Sequence, residues 1–232
     1  MIPLKDTSPS RTFPFINYTI ILLNFLFFLY QLSLGPHLEK FLYAWGVVPA
    51  QFFAPLSIGH LHLSQRILPL FTSMFLHGGW LHFLGNMLYL YIFGDNVEDR
   101  LGHARYLLFY LLCGLLAAAA HLLTNHDSRL PTIGASGAIA GVMGAYFFLY
   151  PYARVVTLIF IFFFFDIVEI PAFFFLAFWF IFQFLSGTII ATRDAMSGGV
   201  AWWAHIGGFL AGILLLFVFG VRRTGRRMRV FS

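Results

Sequence analysis

The chain has few charged residues and a single cysteine. Only 10% of its 232 residues are Asp, Glu, Lys or Arg, whereas 60% are hydrophobic. A soluble domain carries about 25% charged residues, so this composition excludes an ordinary globular protein. Cys113 has no partner in the sequence, so no disulfide within the chain holds the fold together. The 31 Phe residues expose more apolar surface than a fold of this size can hide from water, and lipid is the solvent that accepts it.

Six apolar segments predict an all-α membrane protein, a bundle of six transmembrane helices. Crossing a bilayer takes about 20 apolar residues. The predicted spans are residues 15–34, 70–93, 106–123, 133–150, 172–190 and 201–220. Between them we expect a long first loop with short interfacial helices at 35–69 and an interfacial connection at 151–171. The chain thus divides into an N-terminal tail (1–14), a membrane domain (15–220) and a basic tail (221–232).

The net charge of +5 is concentrated at one end of the sequence. The basic residues that directly follow the last apolar segment are Arg222, Arg223, Arg226, Arg227 and Arg229. This position is typical of a cytoplasmic anchor near anionic lipid, so we expect membrane lipid and no nucleic acid as a partner. Six spans place both termini on one side, together with ten of the fourteen Lys and Arg residues. This bias predicts that both termini lie in the cytoplasm. We expect a multi-pass protein of the plasma membrane.

Strongly polar side chains inside the predicted spans are candidates for function, because burying them in a membrane is costly. The second span contains His77, His82 and Asn86, the fourth Ser136 and the sixth His205. His82 and Asn86 are four residues apart and share one helix face. Both can donate hydrogen bonds, which suits either a site where an oxyanion develops or a bond that joins two helices.

Ser136 and His205 are the candidate nucleophile and base. Ser136 lies between glycines at the start of a predicted helix, where free backbone N–H groups favour an anion. A histidine can take the proton of a serine hydroxyl at neutral pH. Each residue alone is also compatible with a structural role, Ser136 in a helix contact and His205 as a buried or proton-relay histidine. Their combination on separate helices near one membrane depth favours a hydrolytic site.

Two stripes of small residues predict that the fourth and sixth helices touch backbone to backbone. The fourth helix contributes Gly137, Gly141 and Ala145, and the sixth contributes Gly208 and Gly212. Both stripes begin beside the polar residue of their helix. Packing of the stripes would therefore bring Ser136 and His205 together.

These residues resemble the motifs of the rhomboid family, in matching order and spacing from the first to the last predicted span. The His-x-x-x-Asn motif is matched by His82 and Asn86, Gly-x-Ser-Gly by Gly134, Ser136 and Gly137, and Ala-His-x-x-Gly by Ala204, His205 and Gly208, with Gly212 one turn later. A Glu-x-Arg-x-x-Gly-like stretch is approximated by Glu98, Arg100 and Gly102.

The resemblance implies a Ser–His dyad that cleaves peptide bonds in or near the membrane-spanning segments of other proteins, without a cofactor or metal. Ser136 would be the nucleophile and His205 the base, and His82, Asn86 and the Ser136 N–H would form the oxyanion site. Structural roles would fall to Gly134, Gly137, Gly208, Gly212, Glu98 and Arg100. Some members of the family have a tyrosine four residues after the serine, and its ring stacks on the catalytic histidine. Ala140 stands there, so another aromatic residue orients His205 or none does.

Three other functions compete with this hypothesis. An inactive rhomboid-like protein would bind membrane clients without cutting them, but such proteins typically lose the serine or the histidine. A transporter or channel would need charged groups along a path or inverted repeats, and the sequence has neither. A zinc site from His77, His82 and His205 lacks a supporting carboxylate or thiol cluster. The sequence carries no signal of oligomeric state.

Overall fold

The structure is a computed structural model that describes residues 1–54, 62–161, 164–191 and 201–221. The elements in chain order are β1 (Ile2–Asp6), α1 (Phe15–Ser33), α2 (Leu38–Trp45), α3 (Pro49–Phe53), α4 (Leu63–Thr72), α5 (Trp80–Leu101), α6 (His103–Thr124), α7 (Ser136–Leu149), β2 (Arg154–Ile161), β3 (Phe164–Pro171), α8 (Ala172–Ala191) and α9 (Trp202–Val218). Short 3-10 turns occur at Gly35–His37 and Ser73–Phe75. The predicted basic tail lies outside the described residues, apart from residue 221, and so does most of the loop before α9.

The helices confirm the predicted class, a helical multi-pass membrane protein. By length and composition, α1, α6 and α8 can each cross a membrane. A bend of 77° separates α4 and its 3-10 turn from α5, and this pair forms a further, broken candidate. The helices α7 and α9 are apolar but shorter. The total of six spans stays a prediction.

Helix α7 forms the centre of the bundle, because small residues let its neighbours approach closely. Every residue from Gly137 to Tyr146 is buried. A Cβ on Gly208 of α9 would overlap the carbonyl oxygen of Gly137, and one on Gly212 would overlap that of Gly141. The close approach predicted from the two glycine stripes is therefore present in the fold.

The second predicted span, 70–93, differs from the structure at both ends. Helix α5 begins at Trp80, ten residues later than the prediction, and extends to Leu101. The predicted span ended where charged residues begin. The helix continues because the N-terminal segment forms hydrogen bonds with acidic side chains in its last turns. The best example is Glu98.

The buried carboxylate of Glu98 joins the end of α5 to the start of α1. Its two oxygens accept hydrogen bonds from the backbone N–H groups of Ile16 and Asn17, at 2.9 and 2.7 Å. These amides lie in the first turn of α1, where a helix offers no acceptor of its own and favours negative charge. The ring nitrogen Nδ1 of His103 lies 2.5 Å from the same carboxylate. Arg100, the other expected structural residue here, lies half-buried in the last turn of α5.

A three-stranded antiparallel sheet in the order β1-β2-β3 covers the same end of the bundle. The segment 151–171, for which only an interfacial connection was predicted, contains the antiparallel strands β2 and β3, and the expected N-terminal tail contributes β1. The β-branched and aromatic residues of β2 favour a strand. Alternate residues of this strand, Val155 and Thr157, are buried. Apolar content alone does not reveal that alternation, because the outward-facing residues are apolar as well.

Candidate active site

The candidate catalytic residues lie at the helix ends opposite the sheet. Ser136 is the first residue of α7, His205 is in the first turn of α9, and His82 is in the first turn of α5. The sheet contacts the other end of α7 at Tyr146, ten residues or about 15 Å along the helix axis. Three helix N-termini therefore converge on one site, where their free amides and dipoles favour negative charge.

Ser136 and His205 are in hydrogen-bond contact. The Oγ of Ser136 lies 2.7 Å from Nε2 of His205. The other ring nitrogen, Nδ1, lies 2.7 Å from Oε1 of Gln183. An amide oxygen can only accept a hydrogen bond, so Nδ1 carries the proton and Nε2 is free to accept the serine hydroxyl proton. A serine hydroxyl and an imidazole nitrogen in this arrangement can act as a nucleophile and its general base.

His82 and Asn86 carry hydrogen-bond donors on successive turns of α5. Nδ1 of His82 accepts a hydrogen bond from the Gly78 N–H at 3.2 Å, so its proton lies on Nε2. The side-chain nitrogen of Asn86 is buried and has no hydrogen-bond partner among the residues that the structure describes. A buried donor without an acceptor costs about 1–3 kcal/mol, so such a group is expected where a ligand or a reacting atom will occupy the acceptor position.

Gly134 holds the approach to Ser136 in a conformation that only glycine adopts without strain. Its φ is +128°, and its N–H donates to the carbonyl oxygen of Ser73 at 2.9 Å. A Cβ on Gly134 would lie 2.8 Å from Nε2 of His82 and 3.5 Å from Oγ of Ser136. Glycine is therefore required here both by the backbone and by the neighbouring ring of His82.

The comparison with protein families identifies one domain, and this domain contains the candidate site. The family model of the Rhomboid domain matches residues 64–222, which contain all four of these polar residues. The chain belongs to the rhomboid family.

The relatives of this rhomboid include proteins from plants, bacteria and yeast. RHOMBOID-like protein 1 of Arabidopsis thaliana is 31% identical over 66% of the chain and 34% of the relative. Rhomboid protease GluP of Bacillus subtilis is 31% identical over 61% of the chain and 25% of the relative. Rhomboid protein 1, mitochondrial, of Saccharomyces cerevisiae is 32% identical over 38% of the chain and 27% of the relative. The chain matches about a third or less of the length of these relatives.

The rhomboid uses α8 to contact its histidine, which the sequence argument missed. The ring of Trp179 lies 5.8 Å from the ring of His205, centroid to centroid, at an angle of 37°. Gln183, one turn further along α8, forms the bond to Nδ1 described above. Trp179 therefore provides an aromatic contact to His205 although Ala140 replaces the tyrosine. One signal in the sequence pointed to Gln183, since it is the one amide side chain in the apolar run of α8.

Two further histidines of the rhomboid have structural contacts. Nε2 of His121 lies 2.8 Å from the hydroxyl of Thr132, in the segment that leads to Ser136. The backbone of His77 is held by the side chain of Gln31 through two hydrogen bonds of 2.9 Å, and its ring lies 5.2 Å from that of His82. Within the described ranges, no group of three His, Cys, Asp or Glu side chains is placed to hold a metal ion.

Proposed function

We propose that this rhomboid is an intramembrane serine endopeptidase that cleaves transmembrane or membrane-proximal segments of other membrane proteins. The observation that carries the proposal is the 2.7 Å contact between Oγ of Ser136 and Nε2 of His205. A serine hydroxyl in contact with an imidazole nitrogen that can accept its proton is an activated nucleophile. The relative named Rhomboid protease GluP supports the same reaction class.

In the first step, Oγ of Ser136 attacks the carbonyl carbon of the scissile peptide bond while Nε2 of His205 takes its proton. The tetrahedral intermediate collapses as His205 gives this proton to the leaving amine, and an acyl-enzyme on Ser136 remains. Water then attacks the acyl group, with His205 again acting as general base. The serine is regenerated and the carboxylic acid product leaves.

The negative charge on the carbonyl oxygen is stabilised by three donors. These are the backbone N–H of Ser136, the Nε2–H of His82 and the side-chain N–H of Asn86. The hydrogen bond that Gly78 donates to Nδ1 of His82 supports this role, because it directs the ring proton to Nε2. Donors fixed in place before the reaction need no reorganisation as the charge develops.

The proposed substrates are transmembrane proteins, and the proposed surroundings are membrane lipid. Helix α8 carries exposed aromatic side chains such as Phe174 and Phe178, which lipid covers at no cost in free energy. The relatives include a protein that is named as mitochondrial and a protein from a bacterium. The plasma membrane and the cytoplasmic termini therefore stay predictions. The orientation proposed here puts the dyad on the side opposite the termini.

Labelling with a fluorophosphonate probe in liposomes or detergent tests the proposal. The probe phosphonylates an activated serine, so we expect labelling of the wild type and none of the Ser136→Ala variant. We also expect Ser136→Ala to abolish cleavage of a transmembrane substrate while the protein still inserts and folds, because alanine suits a small-residue helix contact. Ser33→Ala is the matched control. Its hydroxyl bonds to Tyr30 within α1, so its labelling should equal that of the wild type. A wild type that is neither labelled nor active would indicate the inactive, client-binding alternative.

A further inference from the structure

We infer that Gln183 is a positioning residue of the dyad, and that its side-chain oxygen holds His205 in the tautomer and orientation that activate Ser136. This inference rests on the proposed function. In the serine proteases that use a triad, a buried carboxylate holds the histidine in this way. Here a neutral amide on a third helix takes that position.

Contacts with four side chains define the orientation of the His205 ring. In the plane of the ring, Nδ1 meets Oε1 of Gln183 and Nε2 meets Oγ of Ser136, each at 2.7 Å. Trp179 contacts the ring at a tilt of 37°, and Trp202 lies at an edge-type angle of 83° with the centroids 6.5 Å apart. His205 is 7% exposed and Gln183 is 6% exposed, so little water competes for Nδ1.

No carboxylate of the described residues has this position. Asp127 lies on the dyad's side of the fold, but its side chain is 90% exposed and pairs with His126. Asp6, Asp95, Glu98 and Asp99 lie at the opposite end of the bundle, where β1 and the start of α1 dock. The other titratable groups whose charge would interact with that of His205 are the imidazoles of His82 on α5 and His121 on α6. The acceptor for the Nδ1 proton is therefore the amide of Gln183.

The choice of an amide follows from the location. A buried carboxylate would need a paired cation or several donors to be tolerated in a membrane. The amide oxygen fixes the ring and the tautomer without that cost. It stabilises the imidazolium less than a carboxylate would, because it carries no net charge.

Three single variants test this role, assayed for kcat, KM and pH dependence with a transmembrane substrate in liposomes. Gln183→Leu removes the acceptor at similar size. We expect kcat to fall about 10- to 100-fold with little change in KM, by analogy with other groups that orient a functional histidine. Gln183→Glu keeps an acceptor at the same place and adds charge. It should retain most of kcat and move the acid limb of the kcat profile to higher pH, since a carboxylate favours the protonated imidazole.

Thr188→Val is the matched control on the same helix. Among the described residues its hydroxyl bonds to the carbonyl oxygens of Phe184 and Leu185 within α8, so its kinetics should equal those of the wild type. Wild-type kcat in Gln183→Leu would overturn the inference. If that variant does not fold, an acid limb in Gln183→Glu that is identical to the wild type would overturn it instead. A wild type that shows neither labelling nor cleavage would contradict the proposed function itself. An active wild type whose kinetics do not change when Gln183 is substituted would contradict only the role of Gln183.

Discussion

At the scale of single residues, Asn86 has the clearest feature of a group arranged for a reaction. Its amide is 8% exposed and its nitrogen has no acceptor within the described part of the chain. For Asn86→Ala we expect kcat to fall by about 10²- to 10³-fold, because the donor acts on charge that exists only in the transition state. KM should change much less. Steady-state kinetics in liposomes measure both, and a change confined to KM would assign Asn86 to substrate binding or packing.

The sequence pointed to the residues of the proposed dyad more directly than to the residues that contact them. Ser136, His205, His82 and Asn86 stand out because strongly polar groups are rare in apolar segments, and the structure brings the serine and His205 into contact. The contact with Gln183 was not predictable in the same way. It joins residues of two helices that are 22 positions apart, and it depends on how α8 rotates and packs against α9. A lone glutamine in an apolar helix indicates function without naming its partner.

At the scale of the elements, the contact between α7 and α9 sets the distance between Ser136 and His205. A Cβ on Gly212 would overlap the backbone of Gly141, which cannot move without shifting α7. We therefore expect Gly212→Val to abolish activity and lower the thermal unfolding temperature in detergent, because any separation of the helices removes the short Ser136–His205 bond.

Gly85→Val is the control for this prediction, since a Cβ on Gly85 of α5 meets no atom within 4 Å. It should keep most of the activity and stability. Full activity and an unchanged unfolding temperature in Gly212→Val would show that α9 does not need this close approach.

Helix positions were predictable where the ends of an apolar run coincide with the ends of a helix. The predicted spans at 15–34, 106–123 and 172–190 agree with α1, α6 and α8 within a few residues. The prediction failed for α5, whose polar last turns are stabilised by contacts with α1 that only the folded chain provides. It also missed the strands β2 and β3, since a run such as Val155 to Ile161 is apolar in either a helix or a strand.

At the scale of the whole molecule, Asp6 fastens the N-terminal strand to the bundle. Its carboxylate accepts hydrogen bonds from the hydroxyl of Tyr146 on α7 and from the amide of Asn96 on α5. Burial raises the pKa of Asp6 from 3.8 to about 6, the bond from Tyr146 acts in the opposite direction, and the nearby charge of Asp95 raises the pKa further. The protonated form is therefore the one that the folded state favours.

This shift predicts how the docking of β1 depends on pH. Because the folded pKa exceeds the unfolded value, the stabilisation is complete below pH 4 and is lost as the pH rises through about 6. Asp6→Asn cannot ionise and still offers an oxygen to Tyr146. Its unfolding temperature should fall less than that of the wild type between pH 4 and 7, measured by thermal unfolding in detergent. Equal slopes in the two proteins would contradict this assignment.

The pairing of β1 with β2 also fixes an order of events during synthesis. Ile2–Asp6 leaves the ribosome before its strand partner, Arg154–Ile161, which follows roughly 150 residues later. At 5–20 residues per second, those residues take about 8–30 s to synthesise. During that time β1 has no partner strand. Tyr146, whose hydroxyl donates a hydrogen bond to Asp6 in the folded protein, has not yet been synthesised. We therefore expect the N-terminal segment to stay accessible to proteases throughout the insertion of α1, α5 and α6, and to be closed over the bundle as one of the last steps of folding.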